Sequence, residues 1–185
     1  MKKLVALVAA LVMLLSFAVA EETVQNVVFT DMVPEDQLEQ QGIYAPVVEG
    51  FPAKIWVLNG AFLPVAASEI PAEVFTGMEV GVFKFADDES LLVILSAIAN
   101  DGGSFDDLVA ALKADPDTFI EPEEAIINGF RSVSYSCNEA DGAVLRYATY
   151  EVSDSVWLNI MFKASDNEMY TQACGLLAAS VAPAD

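Results

Sequence analysis

The chain has 185 residues and a formal net charge of −20, with 28 acidic side chains against 8 basic ones and no histidine. A surface so acidic repels the phosphate backbone of nucleic acid and anionic lipid headgroups, which sets both partner classes aside. The missing histidine excludes Ser-His-Asp and Cys-His nucleophile activation and histidine-ligated zinc, and two cysteines cannot build a four-thiolate site. Carboxylates, a few lysines, tyrosines and hydroxyls remain for chemistry, and neither a metal nor a cofactor is expected.

In chain order, Met1–Ala20 reads as a signal peptide: Lys2 and Lys3 form a positive n-region, Leu4–Phe17 an apolar stretch, and Ala18-Val19-Ala20 a cleavage site. Glu21 follows it, not the cysteine of a lipoprotein. The expectation is a secreted bacterial protein, extracellular or periplasmic, with no membrane insertion after cleavage. Residues 21–50 are polar and without a sustained period, an N-terminal arm with at most one short helix at "EDQLEQQG". Residues 51–185 are expected to form a single domain.

Within it, "EVGVFKFA" (79–86) and "LLVILSAI" (91–98) read as two strands joined at "DDES". Phe105, Leu108, Val109 and Leu112 fall at i, i+3, i+4 and i+7, the apolar stripe of a helix. Ser104 is placed as its N-cap, Asp106 and Asp107 fall in its first turn, and Asp115-Pro116 closes it. "AIINGFRSVSYSC" reads as strand, Asn128-Gly129 hairpin turn, strand, because Asn-Gly tolerates positive φ at both central positions. Two further strands, "GAVLRYATYEV" and "SVWLNIMFKAS", precede a last helix expected to open on a capping box, Ser165-x-x-Glu168.

The residues "INGFRSVSY" (127–135), "LRYATYE" (145–151), "VWLNIMF" (156–162) and "LLAASV" (176–181), in that order and spacing, resemble the PsbP-like family. The likeness spans roughly residues 51–181. The resemblance implies an α/β/α sandwich around a mainly antiparallel sheet, hence an α+β fold. It also implies a protein that binds partners or supports an assembly rather than an enzyme; the partner class, a protein or a small ligand, is read separately from the aromatic, arginine and hydroxyl mixture of the candidate sheet face. No functional residue transfers, because none of the matching stretches is a functional motif. The N-terminal half departs from the family, whose covering helix is not evident there. The rival fold is cystatin-like, which usually ends on a strand.

Several groups are candidates for chemistry. Asn100, Asp101, Asp106 and Asp107 superficially suggest a calcium loop, but their spacing does not fit the Asp-x-Asp-x-Asp-Gly pattern, and helix capping explains two of them. Glu121, Glu123 and Glu124 carry the alternative function, a carboxylate-based extracellular glycan hydrolase, which needs two carboxylates across one sugar. The plainer reading is a charged edge that discourages strand pairing. In "RSVSYSC", Val133, Tyr135 and Cys137 alternate with serines, placing the thiol on an apolar face. Arg131 shares that parity beside the turn, where its long side chain reaches water. A binding face is expected from Arg146, Tyr150, Trp157 and Asn159, if the parity of Arg146 and Tyr150 coincides with that of Trp157. Burial of Trp157 as ordinary core is the competing reading. Cys137 and Cys174 both point inward from elements expected to pack together and are candidate disulfide partners, worth about 3–4 kcal/mol if bridged. Two separate buried thiols are the alternative.

Overall fold

The computed structural model of the chain describes residues 24–70, 78–100 and 102–184, so the signal-peptide segment and Asp101 lie outside the described residues. The strands that the alternation predicts are present: β5 (Glu79–Phe85), β6 (Asp88–Ala99), β7 (Phe119–Ile127), β8 (Phe130–Asn138), β9 (Val144–Ser153) and β10 (Val156–Lys163). Together with β1 (Gln25–Val27) and β4 (Phe62–Pro64) they form an eight-stranded sheet in the order β1-β7-β8-β9-β10-β6-β5-β4. Every pairing in it is antiparallel except the parallel contact of β1 with β7.

Two helices lie on opposite faces of this sheet, the α/β/α sandwich expected. Helix α3 (Phe105–Ala114) packs Phe105, Val109 and Leu112 against Val133. Its N-terminus closes as predicted: Ser104 accepts the Asp107 amide and the Asp107 carboxylate accepts the Ser104 amide. Helix α4 (Glu168–Ala179) buries Tyr170, Ala173, Cys174 and Leu177 against Tyr150, Leu158 and Ile160. Its cap differs from the expected capping box. Asn167 accepts the Tyr170 amide at 3.1 Å, while Ser165 Oγ accepts the Asn167 amide at 3.1 Å one step earlier. The chain therefore ends on a helix followed by the two-residue β11 (Ala182–Pro183), unlike the cystatin-like rival.

The segment read as an arm folds into short elements: β1, α1 (Phe29–Met32), α2 (Glu35–Gln41) and β2 (Gly42–Pro46). With β3 (Ala53–Leu58) and β11, β2 forms a second, three-stranded antiparallel sheet in the order β11-β3-β2. The anchor is Trp56, fully buried among Phe29, Val33, Leu38, Leu176 and Ala179. Its indole N–H donates to Leu38 O at 3.1 Å and its amide to Ser180 Oγ at 2.8 Å. Gly42 lies against this ring so closely that a Cβ there would sit 2.3 Å from a ring carbon.

The β7–β8 turn does more than reverse the chain. Asn128 (φ 48°) and Gly129 (φ 92°) take the positive φ that the Asn-Gly pair predicts. The Asn128 side chain then donates to Ala179 O (2.9 Å) and Val181 O (2.8 Å), and accepts the Phe29 amide at 2.8 Å. One turn residue thus ties the end of α4 and the start of α1 to the sheet. Asn128→Gly keeps the turn geometry while deleting three hydrogen bonds, so urea unfolding should show a loss of about 2–3 kcal/mol. A loss below about 0.5 kcal/mol would mean that these bonds add little beyond the turn itself.

Candidate functional site

Side chains alternate along each strand, so the register decides which residues meet. Strand β9 pairs Arg146 with Phe162, Ala148 with Ile160 and Tyr150 with Leu158; it pairs Tyr147 with Met161, Thr149 with Asn159 and Glu151 with Trp157. The first set lies on the α4 side of the sheet and the second on the α3 side. The four residues expected to share a binding face are therefore divided. Arg146 and Tyr150 lie on one side, Trp157 and Asn159 on the other.

On the α4 side Tyr150 is fully buried, its hydroxyl donating to Ala178 O at 2.7 Å. Arg146 is exposed at the rim, lining an open depression with Gly142, Val144, Ser165 and Asp166. On the α3 side Trp157 is half-buried edge-on to Phe105, with ring centroids 5.7 Å apart. Its indole N–H is shielded from solvent and has no hydrogen-bond partner among the described residues. Asn159 accepts a hydrogen bond from Thr149 Oγ1 at 3.0 Å.

The α3 side also gathers residues that strand-by-strand reading did not join. Tyr135 and Tyr147 are paired across β8 and β9 and stack with centroids 5.0 Å apart and planes 10° from parallel. Phe119 meets Tyr135 edge-on at 5.6 Å, and Met161 pairs with Tyr147 from the other side. All four are half-buried. Burial pushes the Tyr147 hydroxyl up to about 12, with smaller contributions from Cys137, Tyr135 and Glu139, so the ring stays neutral over ordinary pH. The signal for this row was the second parity of "YATY", which only the β8–β9–β10 register aligns with Tyr135 and Met161.

Arg131 supplies the charge on this face. Its guanidinium reaches Asp106 at 2.5 Å, Glu124 at 3.7 Å and Glu151 at 3.8 Å, and lies 5.2 Å from the centre of the Phe105 ring. With the Lys113–Glu124 pair at 2.8 Å, it pins both ends of α3 over β7 and β8.

Of the remaining acidic candidates, Glu123 has its carboxyl raised by burial and, to a lesser extent, by Glu121, which lies near enough to act on it. Glu123 pairs with Ser134 and Glu124 with Val133, so consecutive carboxylates point to opposite faces and cannot flank one sugar. Glu121 sits in the irregular step between Ile120 and Glu123 with φ 49°. The parallel β1 covers only Ala125–Ile127 of β7, which leaves the glutamates on the stretch that β1 does not pair, as an edge-protecting role requires. Of the calcium-loop candidates, Asn100 bonds the Gly102 amide and Asp154 O, Asp107 caps α3, and Asp106 meets Arg131. No group of three or more metal-ligating side chains occurs among the described residues.

Both cysteines are free, correcting the expected bridge. Cys137 pairs with Leu145 on the α3 side, whereas Cys174 is buried on α4 against the opposite face, so the sheet lies between the two sulfurs. Burial raises both thiols, Cys174 to about 12. Without reductant, the unfolded chain should take up two alkyl groups. The native chain should label slowly at the half-buried Cys137 and leave Cys174 untouched. An intact mass showing no alkylation until reductant is added would contradict this placement.

Neither a family model nor a curated protein sequence matches the chain. Among solved structures it is similar to cyanobacterial PsbP (CyanoP) from Synechocystis sp. PCC 6803, at 9% identity over 76% of this chain and 91% of that one, with a TM-score of 0.48. A protein from Bacteroides thetaiotaomicron is similar at 9% identity, over 78% of this chain and 48% of that one, with a TM-score of 0.47. LpqN of Mycobacterium tuberculosis, involved in cell envelope biogenesis, is similar at 17% identity, over 82% and 97% of the two chains, with a TM-score of 0.40. No residue role is taken from them. No helix among the described residues is long and apolar enough to cross a membrane.

Proposed function

We propose that this chain is an exported, non-catalytic binding or accessory protein that recognises a protein partner through the α3 side of its sheet. The carrying observation is the half-buried row of Tyr135, Tyr147 and Met161, rigidified by the ring stack. Aromatic and thioether side chains offer large contact area, and the two tyrosines have few rotamers to lose, which is why such residues dominate protein recognition centres. Asn159, in register with Thr149 and bonded to it, supplies a polar margin to the same row. The leader-like Met1–Ala20 pattern supports export. Glu123 and Glu124, lying on opposite faces, lend no support to glycan hydrolysis.

The test is capture of partner from the surface fraction of the producing cell, by the wild-type chain and by variants of matched thermal stability. Tyr147→Ser combined with Met161→Ser should weaken capture at least tenfold, about 1.4 kcal/mol. Arg146→Ala, altering the opposite rim, should leave capture unchanged. The reverse pattern would move the recognition surface to the α4 side.

A further inference from the structure

The second sheet ends on an open strand. Strand β2 pairs with β3 and has no neighbour on its other side among the described residues. The bonds that bracket it, Asn59 N–H to Gln41 O at 2.8 Å and Val47 N–H to Ala53 O at 3.2 Å, place the backbone groups shared with β3 at odd-numbered residues. Antiparallel pairing alternates, so the N–H and C=O of Tyr44 and the C=O of Gly42 point away from β3. The Gly42 N–H is already taken by Leu38 O of α2.

Edge strands are commonly blunted by charge, by proline or by a bulge. Here Pro46 closes only the far end, and no charged residue stands within Gly42–Pro46. Ile43 is 60% exposed and Tyr44 37% exposed, with Val48 exposed just beyond. The edge is also stiff: Tyr44 meets Phe29 edge-on at 6.3 Å, and Phe29 rests on the buried Trp56. An ordered, apolar edge, closed only at Pro46, is suited to adding a strand from another chain.

Charge says what kind of strand. Residues 21–53 hold seven acidic side chains and no lysine or arginine. Asp31, Glu35, Asp36 and Glu39 are exposed on α1 and α2 directly before β2, and Glu49 is exposed directly after it. Lys54, on β3, lies over the Tyr44 ring at 5.5 Å. A second copy of this chain would bring the same carboxylates edge to edge, which like-charge repulsion opposes.

We infer that the β2 edge binds an extended basic–apolar peptide segment of a partner by strand addition, with main-chain bonds at Gly42 and Tyr44, apolar contact at Ile43, and lysines or arginines facing the α1–α2 carboxylates. This surface is separate from the Tyr147 row, so either can fail alone.

The probe is a short synthetic peptide alternating lysine and valine, titrated into the full chain at low salt and followed by amide NMR. Shifts centred on Ile43, Tyr44 and Ala45, with slowed exchange of the Tyr44 amide, are expected, and should weaken as salt is raised. The same peptide with alternate backbone nitrogens methylated should lose these shifts, a control that leaves the protein unaltered. Shifts absent from β2, or centred on Tyr147 and Met161, would overturn the edge assignment. Equal binding of a glutamate–valine peptide would overturn the basic partner. Peptide-free shifts of the β2 amides that grow with protein concentration would assign the edge to a second copy and overturn the inference.

Discussion

Side-chain alternation along β8, β9 and β10 is the constraint on which the rest of the molecule depends. One parity sends Ala148, Tyr150, Leu158 and Ile160 under α4, where all four are buried. The other sends Tyr135, Tyr147, Asn159, Met161 and Trp157 to the α3 side, where all five are half-buried. A one-residue slip of β10 would carry Leu158 and Ile160 outward and Asn159 into the apolar contact with α4. The cost of exposing two large aliphatic side chains, about 1.5–3 kcal/mol each, makes such a slip improbable at equilibrium. The register that protects the core therefore also composes the surface.

The two faces meet their polar demands differently. On the α4 side each deep hydroxyl has a backbone partner: Tyr150 with Ala178 O, Tyr170 with Leu92 O, and Ser180 with Leu177 O. That pattern suits a permanent interior, where an unmet polar group is expensive. On the α3 side the bonds are side chain to side chain, as between Thr149 and Asn159, or ionic, as around Arg131, and the Trp157 N–H has no partner among the described residues. The ion pairs of Arg131 are partly exposed and individually worth little. Apolar contact of Phe105, Val109 and Leu112 holds α3 down, while the charges set where it sits.

Much of this was legible in the sequence, and the illegible parts share a cause. Period two in "RSVSYSC", the Asn-Gly turn, and the Ser104 cap with its apolar stripe are local signals, and each element stands where they put it. Cross-strand register is not local. Within their own strands the parities of Arg146 with Tyr150 and of Trp157 with Asn159 read correctly, yet nothing in either strand says that they part. The cysteines fail for the same reason, since both point inward but toward opposite sides of one sheet. Of the N-terminal elements only the short helix at "EDQLEQQG" was legible, and it stands at Glu35–Gln41; β1, α1 and β2 were hidden because they are three to five residues long and are held by Phe29 and Leu38 packing on Trp56 rather than by any period of their own. The three bonds of the Asn128 side chain reach residues distant in sequence, beyond any turn signal.

Nuclear Overhauser contacts between side chains test the sorting of the two faces most directly. The Met161 methyl should show contacts to the Tyr147 ring, and the Trp157 indole to the Phe105 ring, with none from Trp157 to Arg146 or Tyr150. Contacts from Trp157 to the Arg146 or Tyr150 side chain would place the four on one face and contradict the division on which both the candidate surface and the separation of the thiols rest.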